Sequence, residues 1–547
     1  MVPDPPRSLT TASGYSECPV ALADVPPLRA NLVQTRTAHY QRRGGPWDRP
    51  PLDLCIETTA RASMVDDCGR LDGPAVADAV AAMAGGLRRA GVRRRQVVSW
   101  QLPNCAVAAV MYRACWRLGA VAAPLHHRLG TAEVEAALGQ VEPALVIAAS
   151  DLPASAHRGS LVVRGPVTMP ALLGVLASSR PVPRGAVAVR PGDLAVVLFT
   201  SGSTGVPKAV LHSHRALAYK AATMVAVHGL AADDAVLMPA PLAHVSGLLN
   251  GVLIPSVAGI PSVLMAAWDP DLALERIEAE RVSFMGAPPV FFSQMAASEH
   301  FKAERVESMR LVSTGGASVS PAFVESIADA FGARVKRTYG STEAPTITTS
   351  GPADSLDRAR DTDGRVVGEA EMEVHDPDNG RRLPPGQTGE LWLRGPEVFV
   401  GYADPAQTAA VIARPGRWLR SGDLGVIDDA GWLQVVGRMS DIIIRAGENI
   451  SASEVEAVLE AHPAVRHAVA VAVPDPTLGE RVAVFVESDA AFTLDDCRRW
   501  FAERGVTKFK TPEYVVRLDA VPVLAAGKPD RAALRARAAS LAPTDAR

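Results

Sequence analysis

The chain lacks the features that mark a nucleic-acid-binding, membrane-spanning or disulfide-stapled protein. Its six cysteines, Cys18, Cys55, Cys68, Cys105, Cys115 and Cys497, are scattered and form no CxxC pair. That spacing speaks against a zinc ribbon and a disulfide framework, and reduced cytoplasmic thiols are the expectation. Charge of one sign is not in excess: 56 Lys and Arg stand against 59 Asp and Glu, a formal net charge of -3. No nucleic acid and no anionic membrane surface is therefore expected as the main partner. The most apolar window, Val252 to Trp268, is interrupted by Pro255 and Pro261 and is too short to cross a bilayer. The first residues, Met-Val-Pro-Asp-Pro-Pro-Arg, lack the basic-then-apolar order of a signal peptide.

What is present is ordinary globular material in quantity. With 547 residues, 48% hydrophobic and 21% charged, the chain should hold more than one domain with large cores. Residues 1–50 are rich in Pro and Arg and read as an extended segment. From Gly73 an apolar stripe (Ala75, Val76, Val80, Met83, Leu87, Ala90) predicts a helix ending at Gly91. Strands at Val97–Leu102, Ala120–Pro124 and Ala144–Ala149 alternate with helices at 106–118 and 133–138, which implies βαβ units. Ser213 should cap a helix running to about His228. Later strand-like runs each close on glycine or hydroxyl residues: Arg281–Ala287 near Gly286, Leu311–Thr314 before Gly315-Gly316, and Arg334–Tyr339 before Gly340-Ser-Thr-Glu343. Ligands of open α/β sheets lie beyond such strand ends, so one shared nucleotide site is expected.

From Gly364 to Val436 the pattern turns to short strands and tight turns, a small β subdomain. A polar connection, Gly437-Arg-Met-Ser-Asp441, then leads into an α+β unit whose first helix should open with a capping box at Ser453-Glu-Val-Glu456. The expected class is α/β: a large N-terminal domain of βαβ-type sheets over 51–437, including the 364–436 β subdomain, and a mobile α+β C-terminal domain over 438–547.

The stretch Thr200-Ser-Gly-Ser-Thr-Gly-Val-Pro-Lys208 joins two apolar runs and supplies glycines, hydroxyls and a cation. Those are the parts of a phosphate cradle, although a Gly/Ser-rich surface loop has the same composition. It is not a Walker A loop, because no Gly directly precedes Lys208 and no Ser or Thr follows it.

Together with Pro241-Leu-Ala-His244, Tyr339-Gly-Ser-Thr-Glu343, Ser421-Gly-Asp423, Gly437-Arg438 with Asp441, Gly447-Glu-Asn449 and Gly527-Lys528, this stretch resembles the ordered motifs of the adenylate-forming (acyl-activating) superfamily. The AMP-dependent carboxylic acid:CoA ligases, or acyl-CoA synthetases, are most similar, and the likeness runs over roughly residues 70–540. It implies a ligase that uses ATP, Mg2+ and coenzyme A: a carboxylate attacks the α-phosphorus to give acyl-AMP and pyrophosphate, and a thiol then displaces AMP. By resemblance, Thr200, Ser201, Gly202, Ser203, Thr204, Gly205 and Lys208 would hold the β- and γ-phosphates. Thr342 would donate to the α-phosphate, and Glu343 would bind Mg2+. Gly315, Gly316 and Ala317 would lie against adenine, with Tyr339 stacking on it beside Gly340 and Ser341. Asp423 would take the ribose hydroxyls, with Arg438 assisting.

Lys528 would bridge the carboxylate and α-phosphate oxygens, and Gly447 and Glu448 would be presented for the second step after rotation about a hinge near Ser440. The family more often has Asp or Lys at the hinge and an aliphatic residue where this chain has Pro529. His244 would flank the acid. Amino-acid-activating relatives carry an Asp near this point, and here there is none, so an apolar acid (fatty, alicyclic, aromatic or steroid-derived) is expected. Ser246, Leu248, Leu249, Val252, Gly286, Ala287 and Ala317 were the expected lining. A cytoplasmic protein, monomeric or homodimeric, is expected. An acyl-AMP ligase that loads a carrier protein and a catalytically silent nucleotide-binding paralogue are the alternatives.

Overall fold

Apolar runs with no polar alternation must be covered on both faces, and this requirement organises the N-terminal part of the chain. The computed structural model describes residues 45–176, 180–200, 207–316, 319–413, 416–446, 448–475, 477–488, 491–523 and 529–541. Among them Val97–Gln101, Val121–Leu125 and Leu145–Ala149 are buried at every position. They form the parallel centre of a seven-stranded sheet, whose far edge is the antiparallel pair Leu194–Thr200 and Lys208–Ser213 followed by Gly401–Tyr402. A second, nine-stranded sheet has a parallel centre of Ser262–Leu264, Val236–Met238, Phe284–Ala287, Leu311–Gly315 and Arg334–Tyr339. The βαβ expectation therefore holds, with the refinement that the strands divide between two sheets.

Helix Ala106–Leu118 lies within the core shared by those sheets. All of its residues are buried, and the cluster around it draws Trp100 and Val196 from one sheet and Met64 and Leu264 from the other. A helix buried on every side belongs in such a middle layer. Its two arginines are buried with it, and Arg117 is paired with Asp53 at 3.2 Å.

Element positions follow the sequence reading within a few residues. The expected helix from Gly73 spans Gly73–Arg89, and Ser213 caps His214–Val227 by accepting the Ala216 N–H. A single turn, Val245–Gly247, passes into a π-helical segment, Leu248–Leu253, before Ile254–Ala258. Gly251 makes this close packing feasible, because a Cβ there would stand 2.7 Å from Met238. Residues 151–190 include a short strand, Leu161–Val163, and a helix, Met169–Val175.

Strands Glu371–His375, Gly389–Arg394, Trp418–Ile427, Ile412–Ala413 and Leu433–Arg438 form a separate antiparallel sheet. The last sheet joins Glu448–Ser451, Ile442–Arg445, Gly479–Ser488 and Val465–Asp475, with Tyr514–Leu518 added in parallel. The capping box at Ser453 does not form. The helix there is Ala452–Glu460 with Ser451 at its cap position and no side-chain cap. The Ser451 and Ser453 hydroxyls both donate to the Val436 carbonyl, at 2.7 and 2.8 Å, while Glu456 is taken by Arg531 and the Ala470 N–H. Tertiary partners outcompeted the local cap.

One buried cation sets a stability prediction. Lys336, 1% exposed, donates to the Ser350 carbonyl at 2.7 Å. Burial depresses its ammonium from 10.5 to about 7, with Arg334 adding to the effect. Between those values the unfolded chain binds more protons than the native one, so this group makes the fold more stable as pH rises from 7. Lys336→Met should stabilise the protein most near pH 7 and progressively less toward pH 10. Urea midpoints of both proteins across that range check it, and a difference that does not change with pH would contradict it.

Candidate functional site

The strand Arg334–Tyr339 ends in a turn that folds back on itself. A Cβ on Gly340 would stand 2.3 Å from the Thr346 nitrogen and 2.8 Å from the Ala344 carbonyl oxygen, so only glycine fits. The Ser341 N–H donates to the Ala344 carbonyl at 3.1 Å, and the Ala344 N–H returns to the Ser341 hydroxyl at 3.2 Å. At the apex are Thr342, buried, and Glu343, half-buried.

Three contacts from the seven-stranded sheet fix this apex. The Phe399 N–H donates to the Glu343 carbonyl at 2.7 Å, and the Tyr402 hydroxyl donates to Glu343 Oε1 at 2.8 Å. His212 Nε2 lies 2.8 Å from the Thr342 carbonyl. A carbonyl can only accept, so the proton of His212 sits on Nε2. Burial first, and then the Glu343 carboxylate, push the Tyr402 phenol far above the usual tyrosine range, so it stays a donor. The Lys208 ammonium stands 5.5 Å from the centre of the Tyr402 ring, which brings the end of the Thr200–Lys208 stretch to the same place.

Tyr339, Asp423 and Arg438 form the second part of the site. Asp423 and Arg438 are direct cross-strand partners on Trp418–Ile427 and Leu433–Arg438. Arg438 Nε meets Asp423 Oδ1 at 2.9 Å, and the Tyr339 hydroxyl donates to Oδ2 at 2.8 Å. The Ser421 hydroxyl supports the turn by accepting the Asp423 N–H at 3.0 Å. The carboxylate is nearly buried, whereas 56% of the Arg438 side chain is exposed. Burial, reinforced by Asp423, pushes the Tyr339 phenol well above its ordinary value.

The glycines of Leu311–Gly315 and its exit lie alongside. A Cβ on Gly315 would be 2.2 Å from the Thr338 carbonyl oxygen, and Gly316 has φ +77°. Both positions demand glycine and leave open backbone at the strand end.

His244 caps Val245–Gly247, and its Nδ1 is 2.9 Å from the Ser246 hydroxyl. Two further histidines, His126 and His127, stack on each other with ring centres 4.7 Å apart. Burial, with His127 and His244 nearby, depresses His126 to about 3, so it is neutral at physiological pH. Of the expected acid-pocket lining, Leu248, Leu249 and Val252 are instead part of the central apolar cluster. Ala243, His244, Val245, Ser246 and Asn250 remain half-exposed. The Asn250 amide lies where a Cβ of Gly286 would come within 3.1 Å.

Ser201, Gly202, Ser203, Thr204, Gly205, Ala317, Gly447 and Lys528 lie outside the described residues. Glu448 begins the strand Glu448–Ser451, next to that gap. Tyr402, His212 and Phe399 were not singled out from the sequence. Only the pairing of Gly401–Tyr402 with Val210 and Leu211 brings the 399–402 segment against Glu343.

Strand-end glycines, a hydroxyl–carboxylate turn and a carboxylate beside a cation define a nucleotide-handling α/β enzyme. The pattern of the AMP-binding enzyme family matches residues 56–403, and that of the AMP-binding enzyme C-terminal domain matches 454–528. Similar proteins include the medium-chain fatty-acid–CoA ligase of Escherichia coli strain K12, 32% identical over 92% of this chain and 94% of that one. The indoleacetate–CoA ligase of Aromatoleum aromaticum is 32% identical over 83% and 90%. Among solved structures, ATP-bound MatB of Rhodopseudomonas palustris shares the fold, with a TM-score of 0.81, 24% identity, and 90% of this chain and 99% of that one covered. The chain belongs to the AMP-binding enzyme family and is an AMP-forming acid–CoA ligase.

Gly340→Ala tests how tightly the turn is built. The methyl would meet backbone on both sides, which cannot yield as a flexible side chain could, so a stability loss of about 1–3 kcal/mol is expected. Chemical denaturation measures it. An unchanged midpoint would mean that the turn opens at no cost.

Proposed function

We propose that the enzyme activates an apolar carboxylic acid, fatty, alicyclic, aromatic or steroid-derived, and passes it to coenzyme A. The carrying observation is the convergence at one strand end of the Thr342–Glu343 turn with the Tyr339–Asp423–Arg438 group. In this reading Asp423 accepts the ribose hydroxyls, with Arg438 holding its charge in place. Tyr339, its hydroxyl tied to Asp423, turns its ring face toward the adenine, which rests on the backbone of Gly315 and Gly316. Thr342 donates to the α-phosphate, and Lys208 with the Thr200–Gly205 stretch holds the pyrophosphate that leaves.

Glu343 fits a magnesium ligand. Tyr402 occupies one carboxylate oxygen, which leaves the other directed by a fixed hydrogen bond and suited to a hard cation. A bound Mg2+ supplies charge neutralisation of the phosphate oxygens. Tyr402 orients the carboxylate, and Phe399 and His212 hold the backbone on either side of it. Lys528 screens the two anions as they approach. Screening is required, because carboxylate and triphosphate repel each other in a site from which water is excluded.

Rotation about Ser440 then presents Gly447 and Glu448 for the thiol step. The hinge residues contact the last helix: Arg535 donates to the Ser440 carbonyl at 3.1 Å and to Asp441 at 2.7 Å. Those exposed contacts are worth little individually, which suits a segment that must exchange partners.

Support for an apolar acid comes from the residues around His244. The half-exposed positions from Ala243 to Asn250 include no carboxylate, so a substrate ammonium would lie there unpaired. Relatives that carry names of fatty and indole acids support the same class.

Two experiments test this reading. A screen of apolar carboxylic acids, read by pyrophosphate release with coenzyme A present, should return an apolar acid and give thioester; adenylate without thioester would favour transfer to a carrier protein. Lys528→Ala should lower adenylation about 10²- to 10³-fold yet still convert supplied acyl-AMP and coenzyme A to thioester. Equal loss of both half-reactions would refute the alternation.

A further inference from the structure

Helix His214–Val227 carries a lysine that none of the motifs includes. Lys220 Nζ lies 2.9 Å from Glu397 Oε1, and both side chains are 0% exposed. A buried ion pair pays heavily in lost hydration, and well-packed apolar residues in its place are often neutral or stabilising. Its presence therefore calls for something that an apolar pair could not supply.

What it supplies is a hydrogen bond to a strained carbonyl. The Lys220 ammonium donates to the Thr346 carbonyl at 2.9 Å. Thr346 is β-branched yet has φ +41°, a left-handed conformation that such residues avoid. It is also the residue whose nitrogen packs against Gly340 and so closes the turn bearing Thr342 and Glu343. Glu397 supplies the countercharge. Gly395 leaves the room for it, since a Cβ there would come 2.7 Å from Glu397 Oε2. Glu397 begins the same segment whose Phe399 N–H and Tyr402 hydroxyl hold Glu343. The turn is thus gripped at its apex by Phe399 and Tyr402 and at its exit by Lys220, and one short segment carries or neutralises all three contacts.

We infer that Lys220 is a positioning residue, whose hydrogen bond, with Glu397 as the buried countercharge, locks Thr346 and thereby aims Glu343 at the Mg2+–ATP complex. This rests on the reading of Glu343 as the magnesium ligand. Both side chains are fully buried, and Lys220 acts through its hydrogen bond to the turn. An ordinary structural strut would support the fold without distinguishing ATP from its magnesium complex.

The test is calorimetric binding of ATP to the full chain, once with Mg2+ and once with a chelator, alongside thermal melting. Lys220→Met/Glu397→Met removes the donor to Thr346 without leaving a lone buried charge. It should melt near the unmodified protein and bind metal-free ATP equally well, while the tightening caused by Mg2+ falls by about fivefold or more. An unchanged Mg2+ effect overturns the inference. Should that variant not fold, Lys220→Met and Glu397→Gln decide, since both break the ion pair but only the first removes the donor. Loss of the Mg2+ effect confined to Lys220→Met supports the inference, and equal loss in both, or in neither, overturns it. Absence of any Mg2+ effect in the unmodified protein would remove the underlying assignment of Glu343, and is recognisable because it precedes any substitution.

Discussion

The hydrogen bond from the Phe399 N–H to the Glu343 carbonyl ties together two sheets that also share a core. On one side is the end of Arg334–Tyr339, in the nine-stranded sheet. On the other is the segment that becomes Gly401–Tyr402, at the edge of the seven-stranded one. Much of the site's geometry follows from that connection. It brings Tyr402 to the Glu343 carboxylate and Lys208 to the face of Tyr402, and it places His212 beneath the Thr342 carbonyl. Each half alone presents a glycine-rich strand end, a common feature. Joined, they hold a hydroxyl, a carboxylate and an ammonium around one space.

Rigidity at this junction comes from compensated burial. The Gly340–Thr346 turn contains a position that only glycine can occupy and a threonine in the left-handed region. Neither would persist without partners, because a strained backbone survives only where its surroundings over-determine it. The Asp423 carboxylate follows the same logic. It is nearly buried and is held by Arg438, Tyr339 and the Ser421 turn. The Asp423 and Glu343 carboxylates are each held by fixed donors, so they are already oriented when a nucleotide arrives.

The substrate side is built differently. The π-helical segment Leu248–Leu253 turns its leucines and Val252 into the central core and leaves Ala243, Ser246 and Asn250 at the open face. A π-segment shifts side chains around the helix axis relative to an α-helix. Leu248, Leu249 and Val252, expected near His244 because they are small or apolar, lie in that core.

Much of the fold was legible in the sequence. Buried strands declared themselves as short, largely apolar runs, and helix starts as hydroxyls before an apolar stripe, because those signals depend on neighbours within a few residues. Ser453 is the instructive exception. Its local capping pattern was sound, but the Val436 carbonyl offered a partner that no local pattern reveals. The ordered motifs likewise led to the adenylate-forming family, since backbone approach and phosphate contact restrict which residue types can stand there. Tertiary structure alone decided which of these residues meet. Tyr402 reaches Glu343 across 59 positions of chain, and Lys220 reaches Thr346 across 126. Such pairings are set by sheet order and by the burial of two charges together, and neither leaves a mark at any spacing that the sequence can show.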